Sequence, residues 1–309
     1  MNTFTLTAQG PFALASSITF LKGFTPASYE GASDRTLELA FPVDNDWRSV
    51  GVRVHEHPQG VTGEIIGPQA PDRKLTEAVR SQVARILSLD VDGSGFPEVG
   101  RRDPVVAGLQ KRYPGLRPVC FHSPYEAAAW AIIGQGIHIK QAAALKALMA
   151  ERLGEAVSFD GDGHVVHAFP SPQRLAEIED FPGLTERKPE WLRAIARAAI
   201  EGLLDAEYLR GLAPEQALAE LGQLPGIGDF SAELVLLRGV GLPDVAPRYG
   251  PWLARAAALA YALPDTPTET ELARLGENWK PYRTWVCLLL RARLEDEASE
   301  DKGRLRLDE

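Results

Sequence analysis

The stretch Leu221–Leu237, LGQLPGIGDFSAELVLL, decides the fold, because it contains a helix end, a tight turn and a second helix start. Pro225 cannot continue a helix, so the first helix is predicted to end before it. Gly226 and Gly228 follow two residues apart, which permits positive φ and a close approach to the backbone. Ile227 between them is predicted to plug the core between the two helices.

Two interpretations of this turn stay open. Outward-pointing amides around Gly226 and Gly228, ahead of a helix that opens near Ser231, suit a phosphate oxygen. This is a helix–hairpin–helix pattern, which holds a nucleic-acid backbone without reading its bases. The alternative is a plain turn between helices, and Asp229 favours it because a carboxylate repels phosphate. The Leu-Pro pair before the turn and Ala232 after it favour backbone binding.

Short alternating segments fill roughly the first ninety residues. They are TFTLTAQ, SITFLKGF, TLELAFPV, SVGVRVHEH and VTGEIIG, separated by Gly, Pro and Asp. This pattern predicts an antiparallel sheet with one face covered. Apolar residues at helical spacing in DRKLTEAVRSQVARILSL predict a helix from Asp72, and DVDGSGFPEVGRRDP at 90–104 is typical of a linker.

Short helices are predicted for the remainder, most of them opening at a Pro-containing start signal. Ser123 is a predicted N-cap with Pro124 at the first helical position. The fold class is therefore mainly α with an N-terminal α+β domain. We predict an antiparallel α+β domain at 1–95, a helical lobe with the hairpin at 125–242, a second lobe from 96–124 plus 243–295, and a frayed acidic tail at 296–309.

Composition limits the function classes. The chain has 309 residues, a net charge of −9 and two cysteines, Cys120 and Cys287, which excludes a four-cysteine zinc or iron–sulfur site. His164 and His167 fit a polar hairpin better than a metal site, and FDGDG at 159–163 lacks the other ligands of a calcium loop.

We expect no metal, no cofactor, no membrane span and no signal peptide, and a cytoplasmic, nucleoid-associated location. The acidic charge counts against tight non-specific DNA binding, although a local phosphate site is compatible with it.

From Asp90 to Arg293 the chain resembles the helix–hairpin–helix DNA glycosylases, and among them the bacterial 3-methyladenine DNA glycosylase II branch. The resemblance rests on PGLR at 114–117, IIGQ at 132–135, LPGIG at 224–228 and WKPYR at 279–283, in that order. It implies two helical lobes with a cleft between them. It also implies a monomer that binds double-stranded DNA, flips a damaged, alkylated base and hydrolyses its N-glycosidic bond.

The resemblance places the family's catalytic aspartate on Tyr249, with Arg248 where a second acid often lies. A tyrosine with an ordinary pKa of about 10 is neutral and stabilises positive charge on the sugar poorly. Asp244 matches an acid that the family carries outside the site. Glu233 is a weak alternative acid, and we favour its interpretation as a solvent-exposed helix residue or a partner of the helix dipole. Arg248 is either a phosphate contact or a surface charge.

The base pocket implied by the resemblance is altered as well. One wall falls on Phe230 and stays aromatic, whereas others fall on Leu234 and Arg291. Trp285 lies about one and a half turns before Arg291 and could partly substitute, while Trp130 is kept.

The same resemblance implies a DNA-contacting surface. The leucine that wedges into the duplex falls on Gly136, after Gln135, so the hole-filling side chain is absent there. The implied DNA contacts are Gly226, Ile227, Gly228, Ser231, Gln135, Gly136 and Arg248. Relatives hold a structural cation on hairpin carbonyls, which correspond here to Leu224 and Ile227. Lys280, Pro281 and Arg283 match the pattern.

Three hypotheses for the function stay open. The chain is a glycosylase that releases labile alkylated bases without the usual acid, or a catalytically silent protein that binds DNA or flipped lesions. The third is a role without DNA, which only the acidic charge supports. The changes at Tyr249, Leu234, Arg291 and Gly136 fall in one cleft and favour a changed role over random drift.

Overall fold

A four-stranded antiparallel sheet forms the N-terminal domain of the computed structural model. The structure describes residues 2–27, 31, 33–67, 70–159, 164–185, 187–245 and 250–307. Strand order is β1-β4-β3-β2, and every neighbouring pair is antiparallel. The strands are β1 Thr3–Thr7, β2 Thr36–Pro42, β3 Ser49–His57 and β4 Gly60–Ile66, and the domain also holds α1 Leu14–Gly23, a 3-10 turn at Thr25–Ala27 and α2 Arg73–Ile86.

Helices make up most of the remainder, as the sequence predicted. They are α3 Phe96–Arg102, α4 Pro104–Arg112, α5 Pro124–Ile133, α6 Ile139–Leu153, α7 Pro172–Leu175, α8 Lys188–Ile200, α9 Ala206–Gly211, α10 Pro214–Leu221, α11 Asp229–Leu234, a π-helical segment Val235–Val240, α12 Pro251–Tyr261, α13 Glu269–Glu277 and α14 Arg283–Leu307. A two-stranded hairpin, β5 Ala156–Ser158 and β6 Val165–His167, follows α6. The fold class, mainly helical with a small antiparallel sheet, is confirmed.

Two sequence predictions for the first hundred residues are wrong. SITFLKGF is not a strand but lies in α1, whose Leu14, Ile18 and Leu21 are buried at helical spacing. Tertiary burial of this stripe outweighs the strand preference of the β-branched and aromatic residues. The stretch at 90–104 is not only a linker, because Phe96 is buried at the start of α3 and packs against Tyr282 and Trp285.

Two helices begin at capping side chains, one of them the predicted N-cap Ser123. The side chain of Asp72 accepts a hydrogen bond from the Leu75 amide at 2.8 Å, and that of Ser123 accepts one from the Glu126 amide at 2.9 Å. Each cap satisfies an amide that the helix itself leaves unpaired. Within the described residues, no helix has the length and apolarity to cross a membrane.

The sheet joins the helical body through buried charged side chains. Arg117 is 1% exposed, and its guanidinium donates to the carbonyls of Pro11, Ser88 and Val91 and also to that of Gln9. It stacks on Trp285 of α14, with 5.0 Å between the guanidinium carbon and the ring centroid. Arg117 therefore ties the N-terminal domain to the helices.

A second buried cluster lies where α5 meets α6. Glu126 is 2% exposed and lies 2.5 Å from Lys146 Nζ and 3.0 Å from His122 Nδ1. Burial raises the pKa of Glu126, but His122 and Lys146 together outweigh burial and leave that pKa well below its ordinary value. The carboxylate is therefore charged at neutral pH and holds α6 against α5.

The β5–β6 hairpin covers part of the sheet's second face, which the sequence left open to solvent. Val157 and Phe159 of the hairpin form a small core with Ala40 and Ala168. Arg53 of β3 donates to the Phe159 carbonyl at 2.8 Å and to Glu38 at 2.8 Å. At the other end of the chain, α14 continues as a helix through the acidic tail to Leu307, where we expected a frayed end.

Candidate nucleic-acid interface and base cleft

The hairpin between α10 and α11 has the predicted geometry. Gly226 adopts a φ of +81°, and a Cβ there would lie 2.8 Å from the Trp191 ring, so the position accepts only glycine without strain. Ile227 is 5% exposed and plugs the core as predicted. Gly228 has open space around it and precedes the first residue of α11. The hairpin thus presents backbone, rather than side chains, to the surface.

The loop between α5 and α6 is bound directly to this hairpin. Gln135 Nε2 donates to the Gly226 carbonyl at 2.5 Å. Lys188 Nζ donates to the carbonyls of Ile133 at 2.8 Å and Gln135 at 2.7 Å, and burial lowers the pKa of Lys188. Gly136 lies at the turn of this loop with a φ of +68°, and a Cβ at this position would have no neighbouring atom within 4 Å. Two backbone turns are therefore held side by side on one surface.

A stripe of side chains runs inward from the hairpin. Phe230, Leu234 and Arg238 are spaced four residues apart along α11 and the π-helical segment, so they share a face. Phe230 is 74% exposed, Leu234 is half-buried, and the Arg238 Nε atom is buried. The stripe therefore leads from the open surface at the hairpin to a guanidinium inside the protein.

Glu233 is buried, at 7% exposure, which contradicts its interpretation as a solvent-exposed helix residue. It lies three residues after Phe230 on α11, so it stands next to the stripe. Ser231, a predicted DNA contact, is 8% exposed and faces the interior through most of its surface. The structure therefore places a buried carboxylate next to the stripe.

The inner end of the stripe is a cluster of two phenylalanines and two arginines. Phe20 and Phe24 are stacked at 5.3 Å between centroids with 23° between their planes. The Arg238 guanidinium carbon lies 4.5 Å from the Phe24 centroid and 5.3 Å from that of Phe20, and the Arg291 guanidinium carbon lies 5.8 Å from that of Phe24. We call these four residues the arginine–phenylalanine cluster.

The positive charges of the two arginines in this cluster are balanced by different partners. Arg291 Nε pairs with Glu295 at 2.7 Å, one turn along α14. Arg238 Nη2 donates to the Val119 carbonyl at 2.6 Å, and no carboxylate of the described residues lies within 4 Å of its guanidinium. The Arg238 Nε atom has no hydrogen-bond partner among the described residues. Burial lowers the pKa of Arg238 to about 10, so the group remains a cation at neutral pH.

Sequence reasoning missed Phe20, Phe24 and Arg238. The two phenylalanines lie four residues apart, a helical spacing that the strand prediction for SITFLKGF concealed. Arg238 follows Leu234 by the same interval, so the stripe could have been found from the spacing alone.

The tryptophans named as pocket walls lie in the core. Trp130 is 7% exposed and its ring lies 6.5 Å from Phe121. Trp285 is 1% exposed and is enclosed by Phe96, Tyr282 and Arg117. Their roles as pocket walls stay predictions.

Asp244, five residues before the predicted acid position at 249, is bound to Arg283. Arg283 Nε contacts Asp244 Oδ1 at 2.8 Å, and its Nη2 donates to the Asp244 carbonyl at 2.7 Å. Arg248 and Tyr249 lie outside the described residues. Asp160, Gly161, Asp162 and Gly163 of the FDGDG segment also lie outside them.

The cation predicted on the hairpin carbonyls stays a prediction. The Leu224 carbonyl accepts a hydrogen bond from the Ile227 amide at 3.0 Å. Within the described ranges, no group of three or more His, Cys, Asp or Glu side chains is placed to hold a metal ion. Cys120 and Cys287 are free and buried.

The chain is similar in sequence to DNA-3-methyladenine glycosylases of two bacteria. The chain is 33% identical over 180 residues to DNA-3-methyladenine glycosylase 2 of Escherichia coli, a match that covers 57% of this chain and 59% of the relative. It is 26% identical over 219 residues to the DNA-3-methyladenine glycosylase of Bacillus subtilis, covering 69% and 71%. No protein-family profile matches the chain.

Solved structures show the same fold over nearly the whole chain. A 3-methyladenine DNA glycosylase from Archaeoglobus fulgidus superposes with a TM-score of 0.74 at 23% identity, covering 94% of this chain and 97% of that one. A Clostridium acetobutylicum 8-oxoguanine glycosylase/lyase solved with duplex DNA gives a TM-score of 0.62 at 17% identity, covering 96% and 100%.

The fold and the hairpin together define the class: the chain has the fold of the helix–hairpin–helix DNA glycosylases. Within that class, the chain is similar in sequence to DNA-3-methyladenine glycosylases.

Proposed function

We propose that this protein is a DNA glycosylase of base-excision repair. It binds duplex DNA through the hairpin, turns a damaged base out of the stack and hydrolyses the N-glycosidic bond. The names of its relatives support this reaction and point to alkylated bases. Structural neighbours solved with DNA support duplex binding.

The observation that carries the proposal is the surface formed by the hairpin and the α5–α6 loop. Two backbone turns are joined by the bond from Gln135 to the Gly226 carbonyl, and the stripe from Phe230 enters the protein beside them. Backbone amides suit phosphate oxygens, which allows an acidic protein to hold DNA at one place. An exposed aromatic ring at the mouth of the stripe suits stacking on an unstacked base.

We assign the charge-stabilising role to Glu233, because the resemblance places Tyr249 at the position of the family's acid. Cleavage of the N-glycosidic bond builds positive charge on the sugar, and a carboxylate held away from water stabilises that charge strongly. Glu233 is the buried carboxylate beside the stripe. A neutral tyrosine at position 249 would stabilise the positive charge on the sugar poorly, so that this role would fall to Glu233.

Glu233→Gln is expected to lower base release by about 100-fold or more, the usual effect of removing one such group (about 3 kcal/mol). Duplex binding should change less than threefold, since the hairpin is untouched. Release of damaged bases and duplex affinity are measured for the native protein and the variant. Glu215→Gln, in the exposed first turn of α10, is the control and should behave as native.

The two outcomes separate the enzyme from the silent DNA-binding protein. Release above the spontaneous rate that falls with Glu233→Gln supports the assignment. Tight duplex binding without release supports a protein that recognises lesions and leaves the bond intact. Failure to bind any duplex at low salt contradicts both.

A further inference from the structure

The first turn of α8 contacts both of the backbone turns that the proposed function assigns to DNA. Lys188 Nζ donates to the carbonyls of Ile133 and Gln135 in the α5–α6 loop. Trp191 packs against the hairpin, because a Cβ added at Gly226 would lie 2.8 Å from its ring. Lys188 and Trp191 are three residues apart and are therefore neighbours on the helix surface. A single turn of α8 thus supports the two turns from within.

Arg187, the residue immediately before α8, places a cation beside the hairpin. Its guanidinium carbon lies 5.0 Å from the centroid of the Trp191 ring, and this is the ring that packs against Gly226. Arg187 itself is exposed to solvent. The positive charge of Arg187 is therefore held at the surface, with only the Trp191 ring as an intermediate contact to the glycine turn.

The Arg187 guanidinium is available to bind an anion. Among the described residues, no carboxylate lies within 4 Å of it and no group accepts a hydrogen bond from it. Its contact with the Trp191 ring is a cation–π interaction, which uses none of the hydrogen bonds that a guanidinium can donate to oxygen. The same contact restricts the side chain before binding, so less conformational entropy is lost when a phosphate is bound. A guanidinium donates two parallel hydrogen bonds to a phosphate.

A local cation matters for this protein because its net charge is −9. An acidic chain has no general attraction for the phosphate backbone, so the attraction must come from groups close to the contact. The amides of the hairpin supply partial charges only. Arg187 adds a full positive charge next to them.

We propose that Arg187 contacts a DNA phosphate beside the one held by the hairpin, with Trp191 holding its guanidinium in place. This inference rests on the proposed function, because it adds a contact to the same DNA interface. A phosphate contact positions the duplex and carries no sequence information. Arg187 should therefore contribute equally to the binding of damaged and undamaged duplexes.

The test is the salt dependence of duplex binding. The affinity for a short duplex is measured by fluorescence anisotropy from about 0.05 to 0.2 M potassium chloride, and the logarithm of the association constant is plotted against that of the salt concentration. Arg187→Gln is expected to weaken binding about tenfold at the lowest salt concentration, as the loss of a hydrogen bond to a charged partner does. The slope should become shallower by about 0.9, which corresponds to one phosphate.

Arg197→Gln is the matched control, because it removes the same charge from the same helix. Arg197 is exposed and lies about 15 Å further along α8, at 1.5 Å per residue. This variant should retain the native slope and affinity. Arg187→Lys keeps the charge but lacks the guanidinium fork, so it should retain the native slope and bind less tightly than the native protein.

An unchanged slope in Arg187→Gln overturns the inference. This holds even if the affinity falls, because a loosened hairpin would weaken binding without changing the number of phosphates contacted. An equal loss of slope in Arg197→Gln also overturns it, since the effect would then arise from net charge alone. If the native protein binds no duplex even at the lowest salt concentration, the proposed function itself fails and the inference fails with it.

Discussion

Gly226→Ala is expected to lower duplex affinity at least tenfold and to destabilise the protein by about 2–4 kcal/mol. An alanine at a φ of +81° is strained, and its Cβ would lie 2.8 Å from the Trp191 ring. The hairpin must shift to relieve this clash, and the Gly226 carbonyl then moves away from Gln135. Anisotropy with a short duplex gives the affinity, and urea unfolding gives the stability.

Two other glycines separate the contributions. Gly228→Ala has space for its Cβ and no positive φ, so it should fold normally yet weaken DNA binding by obstructing the approach of a phosphate. Gly211→Ala, at the end of α9, also has space and should change neither property. If all three variants bind DNA as tightly as the native protein, the hairpin does not contact DNA.

Arg117→Met is expected to destabilise the protein by about 2–5 kcal/mol, since each buried carbonyl left without a donor costs about 1–3 kcal/mol. The guanidinium serves four carbonyls, those of Gln9, Pro11, Ser88 and Val91. Methionine retains much of the apolar volume against Trp285 but donates nothing. Urea unfolding should show a lower midpoint, and the sheet and the helices should separate at a lower urea concentration than in the native protein.

Arg112→Met is the control for this variant. Arg112 pairs with Asp296 at 3.2 Å, and both side chains are nearly half exposed. Exposed pairs contribute little, so its loss should cost less than about 1 kcal/mol. If both variants cost the same, Arg117 does not hold the two parts together.

Local signals predicted much of this fold. The Asp72 and Ser123 caps, the glycine hairpin and the buried Ile227 all follow from interactions within a few residues of each other. Such interactions can be inferred from spacing alone, because the partners are close in the chain.

Features set by distant contacts could not be predicted in this way. SITFLKGF forms a helix because Leu14, Ile18 and Leu21 find apolar partners in the folded body. Glu233 is buried as well, although glutamate side chains are usually exposed. The contacts of Arg238 with Phe20 and Phe24, and of Arg291 with Phe24, join distant parts of the chain and were visible only in the structure.

The most direct test of the account is base release from damaged duplex DNA by the purified native protein, measured beside Tyr249→Asp. The account predicts release clearly above the spontaneous rate in the native protein, because Glu233 stabilises the sugar cation, with Tyr249→Asp adding at most a modest increase. Release at the spontaneous rate by the native protein, together with strong release by Tyr249→Asp, would contradict it. That result would mean that the protein retained the fold and the DNA surface but lost its chemistry with the aspartate.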